Sequence, residues 1–88
     1  MYNKYRLIVQ TRRGGYSVAS VNSVNDLVGV VRDWLDNTPA GRSVYDDQVH
    51  AVILYQLDPE TGAYVMDRRR PATSRKDIIK QTRLLGGR

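Results

Sequence analysis

The side chains of this chain that could do chemistry are mostly basic, and they are concentrated toward its end. Residues 68–88 hold eight basic side chains against the single acid Asp77, which gives this segment a net charge of +7. Residues 1–67 hold the other six basic side chains and eight acids, which gives −2. Arginine and lysine bind phosphate and carboxylate groups. The charge pattern therefore predicts an acidic partner, either nucleic acid or an acidic protein surface.

We predict a binding surface made by these basic residues, with two arginines at a predicted hairpin tip as a second contact. The candidate residues are Arg68, Arg69, Arg70, Arg75, Lys76, Lys80 and Arg83, together with Arg12 and Arg13. Contacts of this kind neutralise phosphates and weaken as salt rises. No aromatic residue lies among these positions in the sequence, so stacking on unpaired bases is not predicted. Base-reading motifs are absent too, and we expect little sequence specificity.

Residues for catalysis or metal binding are sparse. His50 is the single histidine, and a lone histidine on a predicted strand is more often structural than a general base. Asp46 and Asp47 could join it around a metal ion, but their spacing matches no metal motif. The chain has no cysteine, and it contains no phosphate-cradling glycine loop or nucleophile elbow. We therefore predict a non-enzymatic binding module without cofactor or metal.

The elements that position the basic residues are organised around one predicted hairpin. Its first strand carries apolar residues at alternate positions on both faces, which is typical of an interior strand that is covered above and below. This strand runs from Val49 to Leu57. Pro59 and Gly62 supply the turn, since Gly62 tolerates the positive φ of a bulged hairpin. Tyr64, Val65 and Met66 begin the returning strand.

An earlier hairpin and one helix precede it. Lys4–Thr11 and Tyr16–Val21 predict two strands joined at Arg12-Arg13-Gly14-Gly15. Ser23 is a predicted helix cap, and the helix that follows ends at Asn37 because Pro39 prevents its continuation. Its apolar side is expected to pack on the sheet through Leu27, Val31, Trp34 and Leu35. The segment from Thr38 to Asp47 is predicted to be a loop.

A second, basic helix is predicted near the end of the chain. Arg68-Arg69-Arg70-Pro71 should end the last strand, because a charge run resists burial and Pro71 lacks an amide hydrogen. Ser74 can cap the new helix, with Asp77 at the capping-box position. Ile78, Ile79, Thr82 and Leu85 fall on one side of it, whereas Lys76, Lys80 and Arg83 share the other.

These elements predict the fold class. We expect a small single α+β domain with an antiparallel four-stranded sheet in ββαββ order over residues 1–70. Residues 71–88 form a basic helical segment that packs on the core or extends from it. The element order is similar to that of the ubiquitin-like β-grasp, and Leu84-Leu85-Gly86-Gly87 resembles a ubiquitin-type di-glycine tail. A capped helix nevertheless stands in place of that family's final strand, so the resemblance bears on topology alone.

Size and hydropathy limit the other function classes. Eighty-eight residues make one domain with a core too small for a deep substrate pocket. No apolar run reaches the roughly 18 residues of a membrane span, and the first residues lack a signal-peptide core, so a cytoplasmic location is expected. The alternative function is a phage- or plasmid-type small inhibitor that docks on a host nucleic-acid-processing complex. Oligomeric state stays open, including a homodimer formed by edge-strand pairing.

Overall fold

The computed structural model describes residues 3–86 and confirms the predicted α+β class. The strands are β1 (Tyr5–Thr11), β2 (Gly14–Val21), β3 (Val49–Leu57) and β4 (Tyr64–Pro71). The helices are α1 (Leu27–Asn37), α2 (Pro39–Arg42) and α3 (Arg75–Leu85). Single 3-10 turns at Val24–Asp26 and Asp46–Gln48 precede α1 and β3. Gly87 and Arg88, which belong to the predicted di-glycine tail and basic segment, lie outside the described residues.

The sheet is antiparallel in every pairing and has the order β2-β1-β3-β4. β2 and β3 both run antiparallel to β1, so they are parallel to each other, and α1 carries the chain across the sheet between them. After Pro71 the chain forms α3 rather than the final strand that the β-grasp order would require. The described part of the chain therefore shares only its opening element order with that fold.

One face of the sheet carries the core. Leu7 and Val9 of β1 lie opposite Leu54 and Val52 of β3, and all four side chains are fully buried. The core residues are Leu7, Val9, Leu27, Val31, Trp34, Leu35, Val44, Val49, Val52, Leu54, Ala72, Ile78 and Leu85. All four residues predicted to pack the first helix on the sheet are buried in this set, which confirms that prediction.

Both long helices, α1 and α3, cover this same face. The apolar residues on both sides of β3 predicted a strand covered on both faces, and that expectation is wrong, because no helix covers the other face in the part of the chain described. The opposite face is formed by a second set of alternating residues, with Ile8 of β1 directly opposite Ile53 of β3. Ile53 is only 8% exposed, yet it lies outside the core cluster because the side chains around it, not a helix, shield it. We call this second surface the open face.

The segment predicted as a loop contains the helical turn α2. The Thr38 hydroxyl donates to the carbonyl of Trp34 at the end of α1 and accepts the amide of Gly41 at 3.0 Å. Thr38 is therefore the N-cap of α2 and Pro39 its first residue, a position that proline favours. This local capping signal folds α2 back against α1, and Gly41 is buried there.

β4 is longer than the sequence predicts. The three arginines continue the ladder, with Arg69 opposite Ile53, and Pro71 still pairs with Ala51. An edge strand tolerates proline and charge because one of its sides faces solvent. The β3–β4 turn is as predicted, since Gly62 has a φ of +74°.

Candidate functional site

The predicted basic face of α3 is present and points outward. Lys76, Lys80 and Arg83 are exposed, whereas Ile78, Thr82 and Leu85 are buried on the opposite side. The spacing of four and three residues explains why the three charges share one face. Packing of the apolar side on the sheet therefore fixes the orientation of this basic face.

The start of α3 is held by the predicted cap. The Ser74 hydroxyl accepts the amide of Asp77 at 3.1 Å. The Asp77 carboxylate in turn accepts the Gln81 side chain at 3.1 Å and the Thr73 amide at 2.9 Å. These hydrogen bonds, the one from Gln81 first, lower the pKa of Asp77 below its ordinary value. The charged carboxylate thus belongs to the helix cap.

The arginines of β4 lie beside this helix. All three are exposed, and Arg70 donates from Nε to Oε1 of Gln81 at 2.6 Å, which links β4 to α3. Arg68 forms an exposed ion pair with Asp67 at 3.5 Å. Arg69 points to the other side of the sheet, where Nη2 lies 3.4 Å from Oε1 of Gln10. We define the β4–α3 surface as Arg68, Arg70, Lys76, Lys80 and Arg83, and Arg69 belongs to the opposite face of the sheet.

Arg75 has a different environment from the other candidate residues. Its guanidinium donates to the backbone carbonyls of Leu35, Gly41 and Val44 at 3.1, 2.5 and 3.0 Å. Two of these carbonyls lie near the C-terminal ends of α1 and α2. A cation there donates to backbone carbonyls that have no partner within the helix and interacts favourably with the helix dipole. Because its donors are used inside the fold, we leave Arg75 out of the β4–α3 surface.

Arg12 and Arg13 are exposed at the tip between β1 and β2, as predicted. The amide of Arg12 donates to the carbonyl of Gln48 at 2.8 Å, which holds the tip beside the start of β3. β1 and β4 flank β3, so the two arginines lie about 10 Å, two strand spacings, across the sheet from the end of β4. The tip is therefore a neighbour of the β4–α3 surface, not a part of it.

The sequence pattern did not predict the open face as a site, because the residues that form it are far apart in the sequence. Arg6 of β1 lies opposite Tyr55 of β3, which lies opposite Met66 of β4. The Arg6 guanidinium also lies over the ring of Tyr64, with Cζ 4.3 Å from the ring centroid. Aromatic side chains thus do lie among the basic ones in space, contrary to their separation in the sequence. The register of the strands, which the sequence pattern does not specify, was the missing information.

Within residues 3–86, no group of three or more histidine, cysteine or acidic side chains is arranged to hold a metal ion. Asp46 instead accepts the amide of Arg75 at 2.9 Å. A groove of about 230 Å³ between α1 and α3 is lined by Arg32, Leu35, Asp36, Arg75, Lys76 and Ile79. None of the helices described is both long and apolar enough to cross a membrane.

Comparison of the chain with protein-family models, curated proteins and solved structures finds no match. The functional argument therefore rests on the residues and geometry of the chain itself.

Proposed function

We propose that this protein is a non-enzymatic binding module that contacts nucleic acid, DNA or RNA, mainly through phosphates and with little sequence specificity. The observation that supports the proposal is the β4–α3 surface, where two adjacent elements present five exposed basic side chains. Phosphate contacts from arginine and lysine supply most of the affinity of non-specific binding. Such a surface has the charge and the reach to follow a sugar–phosphate backbone.

The acids on these two elements cancel only part of its charge. Asp67 and Asp77 are the acidic residues of β4 and α3. Asp67 forms an ion pair with Arg68 on the exposed surface, and a pair of this kind contributes little to stability. Asp77 is held in the helix cap by Thr73 and Gln81, and its charge offsets part of that of Lys80. Lys76, Lys80 and Arg83 still outnumber it, so the outer face of α3 keeps a net positive charge that an anionic ligand would relieve.

The experiment is a titration of labelled DNA and RNA at several salt concentrations. We expect micromolar or tighter binding at low salt and a steep loss of affinity as salt rises. Replacing Lys76, Lys80 and Arg83 together by glutamine should weaken binding strongly and leave the melting temperature almost unchanged. Each lost phosphate contact should reduce the slope of log K against log salt by about 0.7–0.9.

A matched control removes one charge outside the surface. Arg42→Gln alters an exposed residue of α2, whereas Lys80→Gln alters one within the surface. Only the second should change the salt slope. Binding that survives the triple variant with its slope intact would place the site elsewhere. Absence of binding at low salt would reject the proposal and favour the alternative, a small inhibitor that docks on a protein partner.

A further inference from the structure

The open face carries a regular arrangement of side chains across three strands. Its residues lie in rows along the pairing direction, and rows two residues apart along a strand are separated by about 7 Å. One row is Arg6, Tyr55 and Met66, and the next is Ile8, Ile53 and Arg69. Along the strands, Gln10 with Ala51 lies beyond one row and Leu57 with Tyr64 beyond the other.

Two large side chains of this face, one apolar and one aromatic, are exposed to solvent at least in part. Met66 is 59% exposed, and Tyr55 is partly exposed beside it. The Arg6 guanidinium is stacked on Tyr64 at 4.3 Å from the ring centroid, and its Nε has no hydrogen-bond partner in the structure. A sheet face with a partly exposed aromatic ring and an exposed methionine offers planar and apolar contacts to a ligand. The basic side chains of Arg6 and Arg69 lie beside these contacts.

The charge of the open face indicates which ligand it fits. This face has two arginines, Arg6 and Arg69, whereas Arg68 and Arg70 pair with the core residues Leu54 and Val52 and lie on the helix-covered face. The one acid in the four strands is Asp67. Asp67 is the extra residue at the irregularity between the Arg68 and Met66 pairings, and its carboxylate is paired with Arg68. No aspartate or glutamate therefore takes part in the pairings that build the open face over the residues described. A ligand with flat apolar groups and regular negative charges complements this face.

We propose that the open face binds single-stranded nucleic acid, with unpaired bases stacking on Tyr55 and on the Arg6–Tyr64 pair. Arg69, which points to the open face, contacts the phosphates there. The inference rests on the proposed function and narrows its substrate class. In a duplex the faces of the bases are hidden in the stack, so only single strands and unpaired loops can use these contacts.

The test compares three probes with three proteins. The probes are an oligothymidine, an oligouridine of the same length and a DNA duplex of that length, each labelled for anisotropy. The proteins are the wild type, Tyr55→Leu and the control Tyr55→Phe, which keeps the ring. We expect Tyr55→Leu to raise the Kd for both single strands at least about fivefold, the lower end of base–aromatic stacking. Tyr55→Phe should bind single strands like the wild type, and the duplex Kd should change in neither variant.

Methyl NMR of the wild type provides an independent measurement that needs no variant to fold. Resonances of Ile8, Ile53 and Met66 on the open face should shift when the oligothymidine is added, whereas those of the buried Leu27 should not. Single-strand binding that leaves these methyl groups unmoved and survives Tyr55→Leu would overturn the inference.

The outcomes separate this inference from the proposed function. Equal binding of duplex and single strand, lost on replacing the three basic residues of α3, supports phosphate binding by the β4–α3 surface and rejects the stacking surface. Absence of binding to all three probes rejects both.

Discussion

Replacement of glycine by alanine is expected to destabilise the protein at Gly41, where α2 packs against α1, and to stabilise it at Gly29. Gly41 lies on α2 where it meets the last turn of α1. A Cβ added there would clash with the carbonyl oxygen of Trp34 and stand 2.6 Å from its carbonyl carbon. Gly29 is the third residue of α1, inside the helical stretch that begins with the 3-10 turn at Val24, and a Cβ there would meet nothing within 4 Å. An alanine side chain therefore clashes at position 41 and fits at position 29.

The loss of stability expected for Gly41→Ala depends on which atoms must move to make room for the new Cβ. Relief of the clash at Gly41 requires a shift of backbone, because the obstructing atoms belong to a helix and cannot rotate away. The shift also moves the Gly41 carbonyl, which accepts a hydrogen bond from Arg75. Overpacking typically costs about 1–3 kcal/mol, and the backbone clash places Gly41→Ala at or above the upper end, about 3 kcal/mol. A chain of this size has a free energy of unfolding of roughly 4–13 kcal/mol, so the loss is severe.

Gly29→Ala should be stabilising by about 0.5–1 kcal/mol. Glycine in an exposed helix interior costs this much relative to alanine, through backbone entropy. For a domain of this size, 1 kcal/mol shifts the melting temperature by about 4–8 °C. We expect a rise of a few degrees for Gly29→Ala and a fall of at least about 12 °C for Gly41→Ala.

The assay is urea denaturation followed by far-UV circular dichroism and by the fluorescence of Trp34, the single tryptophan of the chain. Trp34 is 7% exposed, so its emission reports on the core directly. A Gly41→Ala variant as stable as the wild type would refute the described contact between α2 and α1. Destabilisation by Gly29→Ala would refute the open environment assigned to the exposed side of α1.

Two further predictions concern the core and the cap of α3. Trp34→Ala should destabilise by about 3–5 kcal/mol, since it removes a buried aromatic side chain that packs 5.8 Å from the ring of Tyr16, and an unchanged urea midpoint would contradict the core assignment. Asp77 has a pKa below its ordinary value of 3.8, so its contribution is present above that value and lost as pH falls through the folded pKa. The difference in unfolding free energy between wild type and Asp77→Asn should therefore narrow from pH 6 to pH 3, and a difference independent of pH would argue against the charged cap.

Local signals in the sequence were enough to predict most of the elements. Ser23 and Ser74 are polar caps before apolar helical patterns, and each accepts an amide hydrogen bond as expected. Val49–Leu57 forms the central strand β3 with the predicted bounds. Gly62 has the positive φ that its turn requires. These features depend on residues within a few positions of each other, which is why the sequence alone predicts them.

Tertiary arrangement was harder to predict. The apolar patterns of α1 and α3 show that each helix needs a surface, but not that both choose the same face of the sheet. Nor did the spacing of Arg75 show that its guanidinium would reach three carbonyls between 31 and 40 residues away in the chain. The α3 basic face could be predicted because it depends only on helical periodicity. Arg6, Tyr55 and Tyr64 could not, because their proximity depends on strand register.

The two edge strands of the sheet, β2 and β4, differ in how readily they could pair with a second copy of the chain. Charged residues and proline at an edge strand discourage pairing with another chain, and β4 carries Arg68–Arg70 and Pro71. β2, the other edge of the sheet, contains no charged residue and is interrupted by one irregularity opposite Leu7 and Ile8. The oligomeric state is open, but if a homodimer forms through a sheet edge, these properties favour β2. Pairing there would leave β4, the open face beside it and the outer face of α3 available to a nucleic-acid strand, so dimer formation and the proposed binding are compatible in one molecule.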